Sequence, residues 1–264
     1  MTIKNKTEKV VKCVAITILI ICCMHYARRI FLAERFVISS VSMEPTFYSD
    51  TKVWVNKMIY GARIYTKLDF DEGEPLHCFR LPGFRRIRPN DIVIFNAPNG
   101  YDRWGVIEFK INYVFCKRVL GTPGDSIGIR SGHYWNNHYS GVIGDEMNQS
   151  SINGTPDSSL IQRGFYFTIP FPRFCWNVKE MGPIFVPQKG KTIFLDDFSK
   201  DLYREIIKYE TQCDNLDSIP TNYTFKHDYF FVVGDNAIFS IDSRFWGFVP
   251  DDFIVGVVAN RKRR

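Results

Sequence analysis

Several signatures of metal, redox and histidine chemistry are missing from this chain. Its seven cysteines contain no Cys-x-x-Cys pair, and the scattered Cys78, Cys116, Cys175 and Cys213 have no histidine at ligand spacing, so a zinc site is not expected. The five histidines lie in no context that suits a Ser-His-Asp triad. Excess charge is also small. A net +6 does not demand nucleic acid, but it suits a protein beside an anionic lipid surface. No internal repeat is present. What remains is ordinary for a folded protein, with 45% hydrophobic and 23% charged residues. Aromatics reach 16%, with 23 Phe and 13 Tyr, which favours strands.

The long apolar run is N-terminal. After a basic segment, 1–9, residues 10–27 are apolar apart from Lys12, Thr17 and His25. As a helix they span about 27 Å, close to the hydrocarbon thickness of a bilayer. The sequence His25-Tyr26-Ala27-Arg28-Arg29 is a poor small-residue cleavage site, so an uncleaved anchor is expected. Cys13, Cys22 and Cys23 belong to it. In an oxidising compartment a disulfide could form, for example between Cys175 and Cys213, and the sequence leaves the pairing open.

Three later stretches carry candidate chemistry. In Ser40-Val41-Ser42-Met43-Glu44-Pro45-Thr46, an extended backbone would place the Ser40 and Ser42 hydroxyls on one face. Pro45 biases Glu44 towards an extended conformation. One hydroxyl could attack while the other stabilises the oxyanion. A plain Ser-rich loop is the ordinary alternative. In the expected strand Tyr113–Leu120, Tyr113, Phe115, Lys117 and Val119 share a face. Desolvation there would lower the Lys117 pKa and make the amine a base. A strand-edge lysine reaching for water is the alternative. Tyr229–Val233 reads as a buried strand running into Gly234-Asp235-Asn236. Asp242 and Arg244 follow, two apart, and would form an ion pair; on a surface it would be worth under about 1 kcal/mol.

Other expected elements are strands over Val53–Met58, Asp91–Phe95, Thr192–Leu195 and Phe253–Ala259. A helix is expected over Asp201–Thr211 and a loop over 61–90, with Arg85, Arg86 and Arg88 as a solvated cluster. The fold class is mainly β: an antiparallel-sheet catalytic domain with one N-terminal transmembrane helix and an inserted α+β lobe. The catalytic domain would take residues 28–125 and 229–260, the lobe 126–228, and 261–264 would be a basic tail.

In order along the chain, these stretches resemble the type I signal peptidases, membrane-anchored Ser-Lys proteases. Ser42-Met43-Glu44-Pro45-Thr46 matches that family's Ser-Met-x-Pro-Thr, and Asn90–Phe95 resembles its Gly-Asp-Ile-Val-x-Phe strand. Lys117–Asp125 matches its Lys-Arg-Val-x-Gly-x-Pro-Gly-Asp. Gly234-Asp235-Asn236 and Ser240–Pro250 match its C-terminal motif. The resemblance implies Ser42 as nucleophile and Lys117 as general base. The Ser42 N–H and Ser40 hydroxyl would form the oxyanion hole, and Ser240 would orient the lysine amine. Asp242 and Arg244 would support that loop, and Gly234 and Asp235 would shape it. Phe36, Ile38, Met43, Val53 and Phe115 are expected pocket residues, with Met43 near a membrane-facing rim. Substrates would be signal peptides of exported pre-proteins, bound as an added strand with small residues first and third before the cut. Membrane lipid and the export translocase are implied partners. No metal or organic cofactor is implied. The site would face the periplasmic side of a bacterial inner membrane.

Departures from the family's pattern are local. Ala237-Ile238-Phe239 stands where the family has Arg-Asp-Asn, Val41 replaces a common Gly, and Cys116 replaces an aliphatic residue. A second reading rests on the first of these: a signal-peptide-binding membrane protein with an impaired site. The self-cleaving LexA-type Ser-Lys proteases fit less well, because an apolar segment stands where their DNA-binding region would be.

Overall fold

The computed structural model describes residues 3–67, 76–98, 106–164, 166–168, 174–213, 215 and 218–259. The basic tail 261–264 and part of the expected loop 61–90 lie outside them. Helix α1 (Ile3–Ala27) passes through a π turn (Arg28–Leu32) into β1 (Ala33–Val37). A 3-10 turn (Val41–Met43) precedes β2 (Lys52–Asn56), β3 (Arg63–Tyr65), β4 (Cys78–Arg80), β5 (Ile92–Asn96) and β6 (Val114–Gly121). The middle of the chain supplies β7 (Ser126–Arg130), β8 (His133–Asn136), α2 (Glu146–Gly154), α3 (Asp157–Gln162) and β9 (Met181–Phe185). It continues with β10 (Thr192–Phe194), α4 (Asp197–Leu202), α5 (Arg204–Thr211) and β11 (Asn222–Thr224). Then come β12 (Tyr229–Val233), α6 (Ser243–Trp246), β13 (Val249–Pro250) and β14 (Ile254–Val258).

The frame is a seven-stranded sheet in the order β1-β2-β14-β5-β6-β12-β13, and every pairing in it is antiparallel. Its central strands are the continuous apolar runs of the sequence. Every residue of β5, β12 and β14 is buried, as expected for strands covered on both faces. Ile92 and Ile94 pack in one cluster with Ile38, Met43 and Val53. Val93 and Phe95 pack in another with Val119 and Trp246. The alternation is the period-2 pattern of a strand.

The segment Lys9–Leu32 forms one helix long and apolar enough to cross a membrane, and none of it packs inside the protein. Its far end is tied to the sheet: the Arg28 guanidinium lies 5.4 Å over the Trp54 ring, and Arg29 Nε donates to Glu34 of β1 at 3.1 Å.

Residues 126–228 are α+β, with a three-stranded sheet ordered β8-β7-β9. They share a core with the main sheet, where Ile127, Ile184 and Ile206 pack with Phe231, Val233 and Phe248. Two expectations need correction. The helix expected over Asp201–Thr211 is two helices, α4 and α5, broken at Tyr203. Tyr203 is buried and donates from its hydroxyl to Phe185 O at 2.8 Å, which outweighs helical continuity. The expected loop 61–90 contains the paired strands β3 and β4. Arg63 and Arg80 turn toward the protein, whereas Arg86 and Arg88 are exposed, as expected of a solvated cluster. Arg80 sits 4.6 Å over Tyr60 and donates to the carbonyls of Gly61, Asp251 and Ile254. Arg85 grips Asp91 at 2.6 and 2.9 Å rather than standing solvated. Among the described residues no disulfide joins Cys175 and Cys213.

Candidate active site

Ser42 sits in the 3-10 turn Val41–Met43, not on an extended strand as expected. Ser40 before it is extended (φ −133°, ψ 160°), and so is Glu44 after it (φ −69°, ψ 143°). The turn, rather than strand alternation, brings Ser40 Oγ to 3.1 Å from Ser42 Oγ. Met43 pins the turn. It is fully buried beneath the site with Ile38 and Ile94, so it does not stand at a membrane-facing rim.

Lys117 comes from the middle of β6, in register with Val93 of β5. Both Lys117 and Ser42 are buried, and Lys117 Nζ donates to Ser42 Oγ at 2.5 Å. Burial pushes the lysine pKa down to about 8; Asp242 works against that shift and Arg244 with it. A neutral amine at this distance reverses the hydrogen bond and accepts the serine proton. Burial also pushes the neighbouring Cys116 thiol up to about 12, so it remains protonated and is no rival nucleophile.

The loop after β12 closes over this pair. Gly234 N–H donates to Asp242 Oδ2 at 2.9 Å. A Cβ on Gly234 would fall 2.2 Å from Ser240 Oγ and 2.5 Å from Ser42 O, so only glycine permits the approach. The expected hydrogen bond from Ser240 to the lysine amine is not made. Ser240 donates instead to Asp242 Oδ2 at 2.6 Å, because a carboxylate is the stronger acceptor. Asp242 and Arg244 are both fully buried, with Arg244 Nε donating to Asp242 Oδ1 at 2.8 Å. Burial raises the Asp242 carboxyl, but the Arg244 charge and hydrogen bonds bring it below its ordinary value. The pair is therefore not the weak surface pair that its spacing alone suggests. Arg244 Nη2 also holds Ala237 O at 2.8 Å and Ser240 O at 3.3 Å. These ties go to main chain, so the departure at Ala237–Phe239 leaves them intact.

Three contributors escaped the sequence reading. Asn236 N–H donates to Ser42 O at 3.1 Å, and its side chain to Val41 O at 3.1 Å. Arg118 grips both Asp235 oxygens, at 2.6 and 2.5 Å, and reaches Asn90 and Thr46. Asn148, on α2 of the inserted segment, bridges Glu44 O at 3.3 Å and Asp235 O at 3.1 Å. Asn236 and Arg118 lie within the matched motifs, which was a usable signal. Asn148 had none.

The order of these parts along the chain is matched by a family model. A model described as signal peptidase, peptidase S26, matches residues 10–261. The chain belongs to that family. It is 26% identical over 243 residues to a signal peptidase I of Buchnera aphidicola subsp. Acyrthosiphon pisum, covering 86% of this chain and 67% of that one. To a signal peptidase I of Rickettsia bellii it is 28% identical over 229 residues, covering 86% and 64%. To that of Aquifex aeolicus it is 24% identical over 233 residues, covering 86% and 75%. A crystal structure of a signal peptidase I from Enterococcus faecalis aligns with a TM-score of 0.32 and 18% identity, covering 66% of this chain and 97% of that one. As an S26 signal peptidase, the protein is a serine endopeptidase.

In this signal peptidase a groove of about 430 Å³ runs past Ser42 and Lys117. Phe36, Ile38 and Phe115 line it. Val53 and Met43 do not; they belong to the buried cluster beneath. The β12 ladder stops at Val233↔Arg118, so the first half of β6 borders the groove on that side. An extended peptide could add there as a strand. Elsewhere among the described residues, His227, Asp251 and Asp252 bring ligand atoms within 4.8 Å of one another. None of the three lines the groove, and His227 Nδ1 pairs with Asp252 Oδ2 at 3.5 Å.

The Ser40 hydroxyl, 3.1 Å from Ser42 Oγ, is the candidate side-chain donor to an oxyanion if Ser42 is the nucleophile. An oxyanion donor is worth roughly 3 kcal/mol. Ser40→Ala should therefore lower kcat by about a hundredfold or more with little change in KM. Equal turnover by the purified variant and wild type would remove Ser40 from the oxyanion hole.

Proposed function

We propose that this signal peptidase removes signal peptides from exported pre-proteins with a Ser42-Lys117 dyad. The observation that carries this reading is the buried 2.5 Å contact between Ser42 Oγ and an amine whose pKa is pushed down to about 8. Lys117 takes the Ser42 proton as the hydroxyl attacks the scissile carbonyl. The Ser42 N–H and Ser40 hydroxyl receive the oxyanion. Lys117 then protonates the leaving amine, and an ester acyl-enzyme remains. The neutral lysine next activates water to release the acyl group. Ser240 serves the amine at one remove, by fixing the Asp242 carboxylate whose charge acts on it. Small residues first and third before the cut would enter the pockets formed by Phe36, Ile38 and Phe115.

The apolar Lys9–Leu32 helix supports a single-pass anchor that holds the groove near the bilayer. We place the anchor in a bacterial inner membrane, the active site on the periplasmic face, and the translocase as the source of precursor. The binding-protein reading finds no support in the loop, because Arg244 holds it through main-chain carbonyls.

The test is cleavage of a pre-protein with a small-x-small site by detergent-solubilised protein. Wild type should release the mature chain at that site. Ser42→Ala should bind the precursor and leave it uncut. Binding without cutting by the wild type would return the binding-protein reading.

A further inference from the structure

The segment Ala237-Ile238-Phe239 is built into the site in an uneven way. Ala237 is buried, and its carbonyl is held by Arg244. Ile238 packs against the larger core cluster. Phe239 does neither. The residue is 55% exposed, and it lines the groove that contains Ser42 and Lys117. Ile241, 42% exposed, lines the same groove. Phenylalanine is normally among the more buried residue types, so an exposed ring beside a substrate groove needs an explanation.

The main chain that carries the ring is tied to that of the nucleophile. Phe239 N–H donates to Asn236 O at 3.0 Å, and Asn236 N–H donates to Ser42 O at 3.1 Å. The Asn236 side chain holds Val41 O, and Arg244 holds Ser240 O. An apolar surface mounted on such a turn is pre-organised to meet a ligand, at little cost in ordering.

A bound extended peptide turns alternate side chains to opposite sides. If the first and third residues before the cut face the floor at Ile38 and Phe115, their neighbours face the rim. Those neighbours are the second residue before the cut and the first after it. We propose that Phe239, with Ile241 beside it, is a specificity-determining wall that takes an apolar substrate side chain at one of these two rim-facing positions. The inference rests on the signal peptidase reading given above and deepens it. It assigns this chain a preference that its small-residue pockets do not supply.

The test uses precursors carrying Leu or Ser at each rim-facing position in turn, with the small residues unchanged. Cleavage is measured with full-length protein in detergent. Wild type should cut the Leu form about tenfold faster in kcat/KM at one of the two positions, the usual scale for a modest apolar contact. Phe239→Asn should bring that ratio to within about twofold of one, and Ile241→Ser should reduce it in part. Varying the third residue before the cut should affect both enzymes alike. An unchanged Leu-to-Ser ratio in Phe239→Asn overturns the proposal. So does an equal loss on every precursor, which would make Phe239 a loop-packing residue. So does weaker vesicle binding with an unaltered ratio, which would give the ring to lipid. A wild type that cuts no precursor of either kind sinks the signal peptidase reading, and this inference with it.

Discussion

Lys117→Ala should abolish precursor cleavage, by on the order of 10⁴-fold or more, at every pH. Lys117→Arg should not restore it, because a guanidinium stays protonated and cannot act as a base. On the proposed mechanism, wild-type activity requires the neutral amine. The acidic limb of the kcat/KM profile should therefore rise through about pH 8, where Lys117 loses its proton. Stability carries the same signature. The folded pKa is about 8 against an ordinary 10.5. Between these values the unfolded chain binds the proton and the folded one does not. Folding stability should therefore increase with pH across that window, by roughly 3 kcal/mol in total. Below about pH 8 both states are protonated and this dependence vanishes. Lys117→Met should lose the rise. A wild-type limb centred near pH 10 would show that burial does not depress the lysine, and the general-base assignment would fall.

Arg244→Met should destabilise the fold by about 3–5 kcal/mol, because it strands the Asp242 carboxylate where no water reaches it. In a domain of this size that corresponds to a fall in Tm on the order of 10 °C. Activity should fall further than stability accounts for, since Arg244 also holds Ala237 O and Ser240 O. The double variant Asp242→Ala/Arg244→Met should recover part of the stability without the activity, and the cycle between the variants isolates the pair. Denaturant unfolding decides the matter. A loss below about 1 kcal/mol is the value for an exposed pair, and it would contradict the burial seen here.

Much of the frame is legible in the residues. The runs Ile92–Phe95 and Tyr229–Val233 are continuous and apolar, and they become the buried strands β5 and β12. The apolar run 10–27 becomes the body of α1. Elements ruled by individual side chains were harder to read. Tyr203 breaks a helix whose periodicity looks unbroken, and Arg63 and Arg80 turn a charged stretch into a strand pair by donating to distant carbonyls. Position in sequence says nothing of such partners, because Arg80 and Asp251 meet only when the sheet closes.

The site divides the same way. Residue chemistry and order by themselves marked Ser42 and Lys117 as the candidate nucleophile and base, and picked out the supporting loop and the apolar helix, because each is carried by a short local pattern. Only the tertiary structure decided that Ser42 lies on a 3-10 turn, that Ser240 serves Asp242 before the lysine, and that Asp242 and Arg244 are wholly enclosed. It also decided that Met43 and Val53 lie under the groove while Phe239 stands in it. The physical reason is that periodicity fixes which way a side chain points along its own element. Desolvation, and contact between residues as far apart as Ser42 and Lys117, are set by how the elements pack.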